Sequence, residues 1–259
     1  RDEFLTTMSH ELRTPMSSVV SAGQLLNLST LSTDQSAYVS RLNTSSTHML
    51  SLINNILDLA RLDQQRDCAE NIPFTLDDIL QQTEQLLAEQ IKAQSIKLTI
   101  DNRFHLLKKQ LLGDPTWLRQ ILLNLLSNAI KFTEQGEVRL AITPEAIDNA
   151  GATIFFEVTD TGVGIAKERQ DELFQPFSQA DSSISRVYGG SGLGLAISHK
   201  LVNRMGGVLR LESELGEGSR FFFTLRFQIE EATPETKQSH VMTSEVLTPI
   251  KAQALLVDD

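Results

Sequence analysis

Residues 153–164 read Thr-Ile-Phe-Phe-Glu-Val-Thr-Asp-Thr-Gly-Val-Gly. The β-branched and aromatic run Thr153–Val158 reads as a strand. Directly after it come Asp160, Gly162 and Gly164. Glycines at a strand end let the backbone approach a flat or charged ligand closely. Taken alone, the pentapeptide 160–164 reads equally well as a simple turn.

Downstream, Gly189-Gly-Ser-Gly-Leu-Gly194 runs into Leu195-Ala-Ile-Ser-His-Lys-Leu-Val202. That is a glycine loop feeding the N-terminus of an apolar helix, where free amides and the helix dipole attract phosphate. It lacks the closing Gly-Lys-Ser/Thr of a P-loop, and no βαβ unit frames it as a dinucleotide fingerprint. Upstream lies Asn124-Leu-Leu-Ser-Asn128-Ala-Ile-Lys131-Phe132. Asn124, Asn128 and Lys131 stand four and three residues apart, hence on one helix face. A neutral oxygen ligand beside a cation suits a Mg2+–triphosphate, although two asparagines and a lysine also make an ordinary solvated face.

Around these segments the pattern mixes helix and strand. Leu76, Ile79, Leu80, Thr83, Leu86, Leu87 and Ile91 form one helical stripe, and Trp117 to Ala129 another. Strands are predicted over 96–100, 138–142, 208–211 and 221–227, with a turn at 214–218. Strands and helices without strict alternation argue for an α+β sandwich with helices on one face of a mixed sheet.

The first segment differs. Leu5, Met8, Leu12, Val19, Ala22 and Leu26 recur at three- and four-residue steps, with Pro15 out of type. Tyr38, Leu42, Ser45, Met49, Leu52, Ile56 and Leu59 form a cleaner heptad seam. Ser32-Thr-Asp-Gln35 is a capping-box pattern for the second helix. Two helices with one seam each cannot bury those seams alone, so a homodimer completing a four-helix bundle is expected. Pro15 should bend or loosen the first helix just after His10, and His10, between seam positions, should point to solvent.

Of the 259 residues, 41% are hydrophobic and 22% charged, the balance of an ordinary globular protein. The net charge of −10 disfavours nucleic-acid binding. No stretch approaches the ~20 apolar residues of a membrane span, and no signal peptide is evident. No membrane contact is expected from this segment, and the expected location is cytoplasmic, with any inner-membrane anchor upstream. One cysteine, Cys68, excludes an intrachain disulfide and reads as incidental. His48, His105, His199 and His240 read as structural or surface residues.

In order and spacing, the three segments resemble the N, G1 and G2 boxes of the GHKL ATPases, and Phe174-Gln-Pro-Phe177 resembles the F box of histidine kinases. Phe4-Leu-Thr-Thr-Met-Ser-His-Glu-Leu-Arg-Thr-Pro15 resembles the H box of a histidine-kinase dimerisation domain. The likeness covers roughly residues 1–229. It implies a dimerisation and phosphotransfer domain over 1–68 and an ATP-binding domain over 71–229. It also implies a linker over 230–252 and the start of a receiver domain over 253–259, as in a hybrid kinase. By the same resemblance His10 is the phosphoacceptor, Glu11 orients or deprotonates it, and Thr14 helps place a water for phosphatase action on a receiver. Asn128 would ligate Mg2+, with Asn124, Lys131 and Phe132 around the nucleotide. Asp160 would accept from the adenine amino group, and Gly162 and Gly164 would give room for the ring. Gly190, Gly192, Leu193 and Gly194 would shape the phosphate end, and Arg186, in a lid over 175–189, would reach a phosphate. The implied cofactors are ATP and Mg2+, and the implied partners are a second copy and a receiver domain. Two other readings are a GHKL ATPase of another class, which does not need an H box on a heptad hairpin, and a non-enzymatic scaffold, which does not need an intact nucleotide site.

Overall fold

The computed structural model describes residues 2–63, 69–94, 96–104, 109–148, 150–178 and 192–230. Arg186, Gly190, Cys68, His105, His240, the stretch 231–252 and the stretch 253–259 lie outside the described residues, as do the side chains of His10, Glu11 and His48.

Two helices open the chain, α1 (Asp2–Asn27) and α2 (Thr33–Asp63). The capping box at the start of α2 forms in both directions. Ser32 N–H donates to Gln35 Oε1 at 2.9 Å, and Gln35 N–H donates to Ser32 Oγ at 3.3 Å. α1 runs from Asp2 to Asn27 with Pro15 inside it.

Within one chain most of the apolar seam stays open. Tyr38 and Met49 are 68% and 51% exposed, and Leu42, Ile56, Val19 and Leu26 are exposed with them. The face that α2 buries against α1 is rotated by one residue: Val39, Ser46 and Leu57 are buried, with Asn43, Leu50 and Ile53 half-buried. This second 4-3-4-3-4 series is smaller and more polar. It admits a close crossing, because a Cβ on Gly23 of α1 would come 1.8 Å from Asn43 Oδ1. The larger apolar stripe faces outward.

The remainder is one sheet with helices on a single face. Its strands are β1 (Ile72–Phe74), β2 (Ile96–Asn102), β3 (Gln110–Gly113), β4 (Gly136–Asp148), β5 (Gly151–Asp160), β6 (Arg210–Glu214) and β7 (Gly218–Glu230). The order is β1-β3-β7-β5-β4-β2, with β6 pairing the first half of β7. The β2–β4 pair is parallel and the other pairs are antiparallel, so the sheet is mixed as expected. β4 and β5 are longer than the sequence reading. β7 runs on through Glu230.

Among the described residues this part also holds α3 (Leu76–Ala93), α4 (Pro115–Phe132), α5 (Lys167–Gln170) and α6 (Gly194–Arg204). α4 is the central one. Leu118, Ile121, Leu122, Leu125, Leu126, Ala129 and Ile130 are all buried, facing strand residues such as Val138, Ile154 and Phe156. Phe156 and Phe223 stack at 5.0 Å between ring centroids. The hairpin reaches this core through the end of α2, where Leu62 is buried in the cluster and the Arg204 guanidinium donates to the Leu62 carbonyl. Among the described residues no helix is long and apolar enough to cross a membrane.

Candidate functional site

Asp114 sets the position of α4. Its Oδ1 caps the helix by accepting from Trp117 N–H at 2.9 Å, and its Oδ2 accepts from Glu70 N–H at 3.1 Å. Pro115 occupies the first turn, where its missing N–H costs nothing. With one side of α4 committed to the core, Asn124, Asn128, Lys131 and Phe132 lie half-buried along the other. Successive members of the line Asn124, Asn128, Phe132 are four residues apart, about 6 Å along the axis.

Each end of that line is tied to a different glycine segment. At one end Asn124 Nδ2 donates to the Gly194 carbonyl at 3.2 Å and to Ser198 Oγ at 3.3 Å, in the first turns of α6. The Gly194 carbonyl can only accept, so the group facing it must be the amide nitrogen. At the other end the Phe132 carbonyl accepts from Val163 N–H at 3.3 Å. A Cβ on Gly162 would sit 2.3 Å from the same oxygen, so the close approach requires glycine. Asn128 stands between the two ends.

Asp160 is the last residue of β5 and is 6% exposed. Its carboxylate accepts from Gly162 N–H at 2.9 Å and from Ser219 N–H. Burial pushes its pKa above the ordinary carboxylate value, and these two donors oppose the shift. Gly164 has φ +66°, and a Cβ there would meet the Glu214 carbonyl at 1.9 Å. On α4, burial holds the Lys131 ammonium below the ordinary lysine pKa, and its Nζ lies 4.6 Å from the centroid of the Phe132 ring.

The glycine loop and the phenylalanine segment meet backbone to backbone. Phe177 N–H donates to the Gly192 carbonyl at 3.1 Å. Both residues are left-handed, Gly192 at φ +66° and Phe177 at φ 65°. For an aromatic residue that conformation is strained, and the Phe177 side chain is 63% exposed. Leu193 is fully buried and anchors α6 in the core. Phe174 lies against the His199 ring at 5.0 Å, which gives that histidine a packing role.

The structure thus gathers Asn124, Asn128, Lys131, Phe132, Asp160, Gly162, Gly164, Gly192, Leu193 and Gly194 around one side of α4. Thr14 is elsewhere, exposed on α1 one turn after His10. An open groove of about 600 Å³ beside it is lined by Thr14, Ser17, Ser18, Ser21, Ala22 and Leu25. Sequence reasoning overlooked Ser213, Gln170 and Ser219, which contact the Asp160 loop or its carboxylate. A serine or glutamine outside a motif carries no signal until the chain is folded.

Among the described residues no group of three or more His, Cys, Asp or Glu side chains is placed to hold a metal ion. Mg2+ takes one or two protein oxygens and otherwise waters and substrate phosphates, and Asn128, half-buried on the open side of α4, carries an amide oxygen of that kind.

Two family models match the chain: the His Kinase A (phospho-acceptor) domain over residues 1–65, and the histidine kinase-, DNA gyrase B-, and HSP90-like ATPase over 113–229. The signal transduction histidine-protein kinase BarA of Escherichia coli (strain K12) is 38% identical over 229 residues, covering 88% of this chain and 25% of BarA. The circadian input-output histidine kinase CikA of Synechococcus elongatus is 42% identical over 225 residues, covering 85% of this chain and 29% of CikA. The chain therefore spans about a quarter of the length of the curated relatives it matches. The crystal structure of full-length ShkA in complex with AMPPNP aligns with a TM-score of 0.73 at 35% identity, over 90% of this chain and 47% of ShkA. The Acinetobacter baumannii histidine kinase AdeS shares the fold, with a TM-score of 0.56 at 20% identity over 86% of this chain and 98% of AdeS. The chain belongs to the protein-histidine kinases: it is a sensor histidine kinase catalytic core, a phospho-acceptor helical hairpin joined to an ATP-binding domain of the GHKL superfamily.

Proposed function

We propose that this core transfers the γ-phosphoryl group of ATP to His10, and from His10 to an aspartate of a receiver domain. The observation that carries the reading is the line Asn124–Asn128–Phe132, which joins the α6 N-terminus to the Asp160 loop. It spans about 12 Å, with a desolvated carboxylate at one end and the N-terminus of α6 at the other. That arrangement suits a purine nucleoside triphosphate laid along α4.

On this reading Asp160 accepts from the adenine amino group, and Gly162 and Gly164 leave room for the ring. Gly190, Gly192, Leu193 and Gly194 shape the phosphate end, which Arg186 reaches. Asn128 would hold Mg2+, with Lys131 and Asn124 beside the phosphates. The metal supplies charge neutralisation on the triphosphate oxygens. A neutral imidazole nitrogen of His10 attacks the γ-phosphorus, and the new N–P bond replaces the bond to the β,γ-bridging oxygen as ADP leaves. Glu11 takes the proton from the other ring nitrogen. In the second transfer a receiver carboxylate oxygen displaces the imidazole from phosphorus, and the imidazole regains a proton. In the separate dephosphorylation of the receiver, Thr14 orients a water toward the acyl phosphate, which is hydrolysed to the free carboxylate and inorganic phosphate, and the groove beside Thr14 is where that receiver would lie.

Residues 1–68 then form the dimerisation and phosphotransfer unit, and 71–229 the ATP-binding unit. The stretch 230–252 links to a receiver domain begun at 253–259. The outward stripe of Tyr38, Leu42, Met49 and Ile56 is the surface a second copy would cover. The use of ATP places this segment on the cytoplasmic side of any membrane the whole protein meets.

Incubation with γ-labelled ATP and Mg2+ tests the reading. Label that survives alkali, is lost in acid and is absent from His10→Gln and Asn128→Ala is expected. ATP turnover without protein label would instead favour a GHKL ATPase of another class.

A further inference from the structure

The loop 161–166 is gripped from outside the nucleotide site by two polar side chains. Ser213, on β6, accepts at Oγ from Ile165 N–H at 2.8 Å and donates to the Gly218 carbonyl at 2.7 Å. A hydroxyl has one proton and the carbonyl can only accept, so the Ser219 hydroxyl, 3.1 Å from Ser213 Oγ, is the donor in that pair. Gln170, on α5, uses its Nε2 twice, donating to the carbonyls of Ile165 and Ser213, each at 2.9 Å. Both backbone groups of Ile165 are therefore held by side chains. Gly216 N–H adds a bond to the Val163 carbonyl at 2.8 Å.

The same contacts run on into the buried carboxylate. Gly218 and Ser219, which Ser213 engages, pack directly on Asp160. A Cβ on Gly218 would lie 2.0 Å from the Asp160 carbonyl, and Ser219 N–H donates to the Asp160 side chain. Ser213 and Gln170 themselves stand half-buried at the edge of the sheet, outside the hydrophobic core cluster. Their hydrogen bonds go to the loop and its support.

We infer that Gln170 and Ser213 are positioning residues for adenine recognition, fixing the loop 161–166 and the Asp160 carboxylate relative to each other. The inference rests on the proposal that Asp160 reads the base. Misplacing that carboxylate should weaken the contact to the 6-amino group and leave the contacts to the phosphates in place.

The test is equilibrium binding, by the whole chain, of ATP and of purine riboside triphosphate, which lacks the 6-amino group. For Ser213→Ala and Gln170→Ala, ATP affinity should fall about tenfold, the scale of one lost hydrogen bond. Affinity for the analogue should fall much less, so that the preference between the two nucleotides shrinks. Ser213→Thr, which keeps the hydroxyl, should restore the preference. Equal losses for both nucleotides, or a lowered melting temperature with the preference intact, would show a merely structural role and overturn the inference. Asp160→Asn is the control on the underlying reading. If it leaves the preference unchanged, the base-site assignment fails. If it removes the preference and the Ser213 and Gln170 variants do not, only the positioning role fails.

Discussion

Asp160 carries a conflict between stability and binding that a single substitution separates. Burial raises its pKa in the folded chain, so the folded state holds the proton more tightly than the unfolded state. The sign follows from linkage: stability falls as pH rises from the ordinary carboxylate pKa through the raised one, and at neutral pH the ionised group is a net cost. Asp160→Asn removes that cost and keeps an oxygen for the Gly162 and Ser219 amides. The unliganded variant should therefore melt no lower than the parent at pH 7. It should also bind ATP on the order of tenfold more weakly or worse, the loss of a hydrogen bond to a charged acceptor. In the parent, adenine selectivity should decline on acidification at a pH above the ordinary carboxylate range. Calorimetry of both proteins across pH checks the two statements, and a variant that melts lower while binding normally would reverse the assignment.

At the scale of elements, α4 depends on what happens at its first turn. Asp114 is buried and spends one oxygen on the helix cap and the other on Glu70 N–H. Asp114→Ala should cost about 2–4 kcal/mol, the sum of a lost N-cap and an amide left unsatisfied. Asp114→Asn should cost roughly half as much, because asparagine caps as well as aspartate but offers a single acceptor oxygen. Urea midpoints for the two variants give the comparison. Equal losses would mean that the helix cap contributes nothing, and no loss in Asp114→Asn would mean the same of the Glu70 contact. Because α4 carries Asn124, Asn128 and Lys131, the alanine variant should also lose ATP affinity through displacement of the whole helix.

The whole molecule leaves its larger apolar stripe on the outside. Tyr38, Leu42, Met49 and Ile56 are exposed on α2, with Val19 and Leu26 on α1, a pattern that calls for a partner surface. If the proposed dimer forms through this stripe, Leu42→Glu with Met49→Glu should convert it to monomer, as read by sedimentation or light scattering, while helix content stays near that of the parent. A double variant that stays dimeric would place the interface elsewhere. The hairpin and the catalytic sheet meet where Leu62 enters the core and Arg204 holds its carbonyl.

The motifs at residues 124–132, 160–164 and 189–194 were legible in the sequence because glycines at strand ends and asparagines at helical spacing are local patterns. The capping box at Ser32–Gln35 was legible for the same reason, since its partners are three residues apart. The mixed sheet followed from alternating and periodic apolar runs. Sequence periodicity found the strongest stripe on α2 and could not say which neighbour covers it. That depends on how closely two helices cross, which Gly23 and Asn43 settle only when brought together. The short strands β1 and β3 have too few residues to show a period, and they exist because longer strands offer them a pairing edge. The support beneath the Asp160 loop was invisible for a related reason. Ser213 stands 48 residues from Ile165 and Gln170 stands 43 from Ser213. Hydrogen bonds between groups so far apart in the chain arise from the packing of α5, β6 and β7, and so the tertiary structure alone decided them.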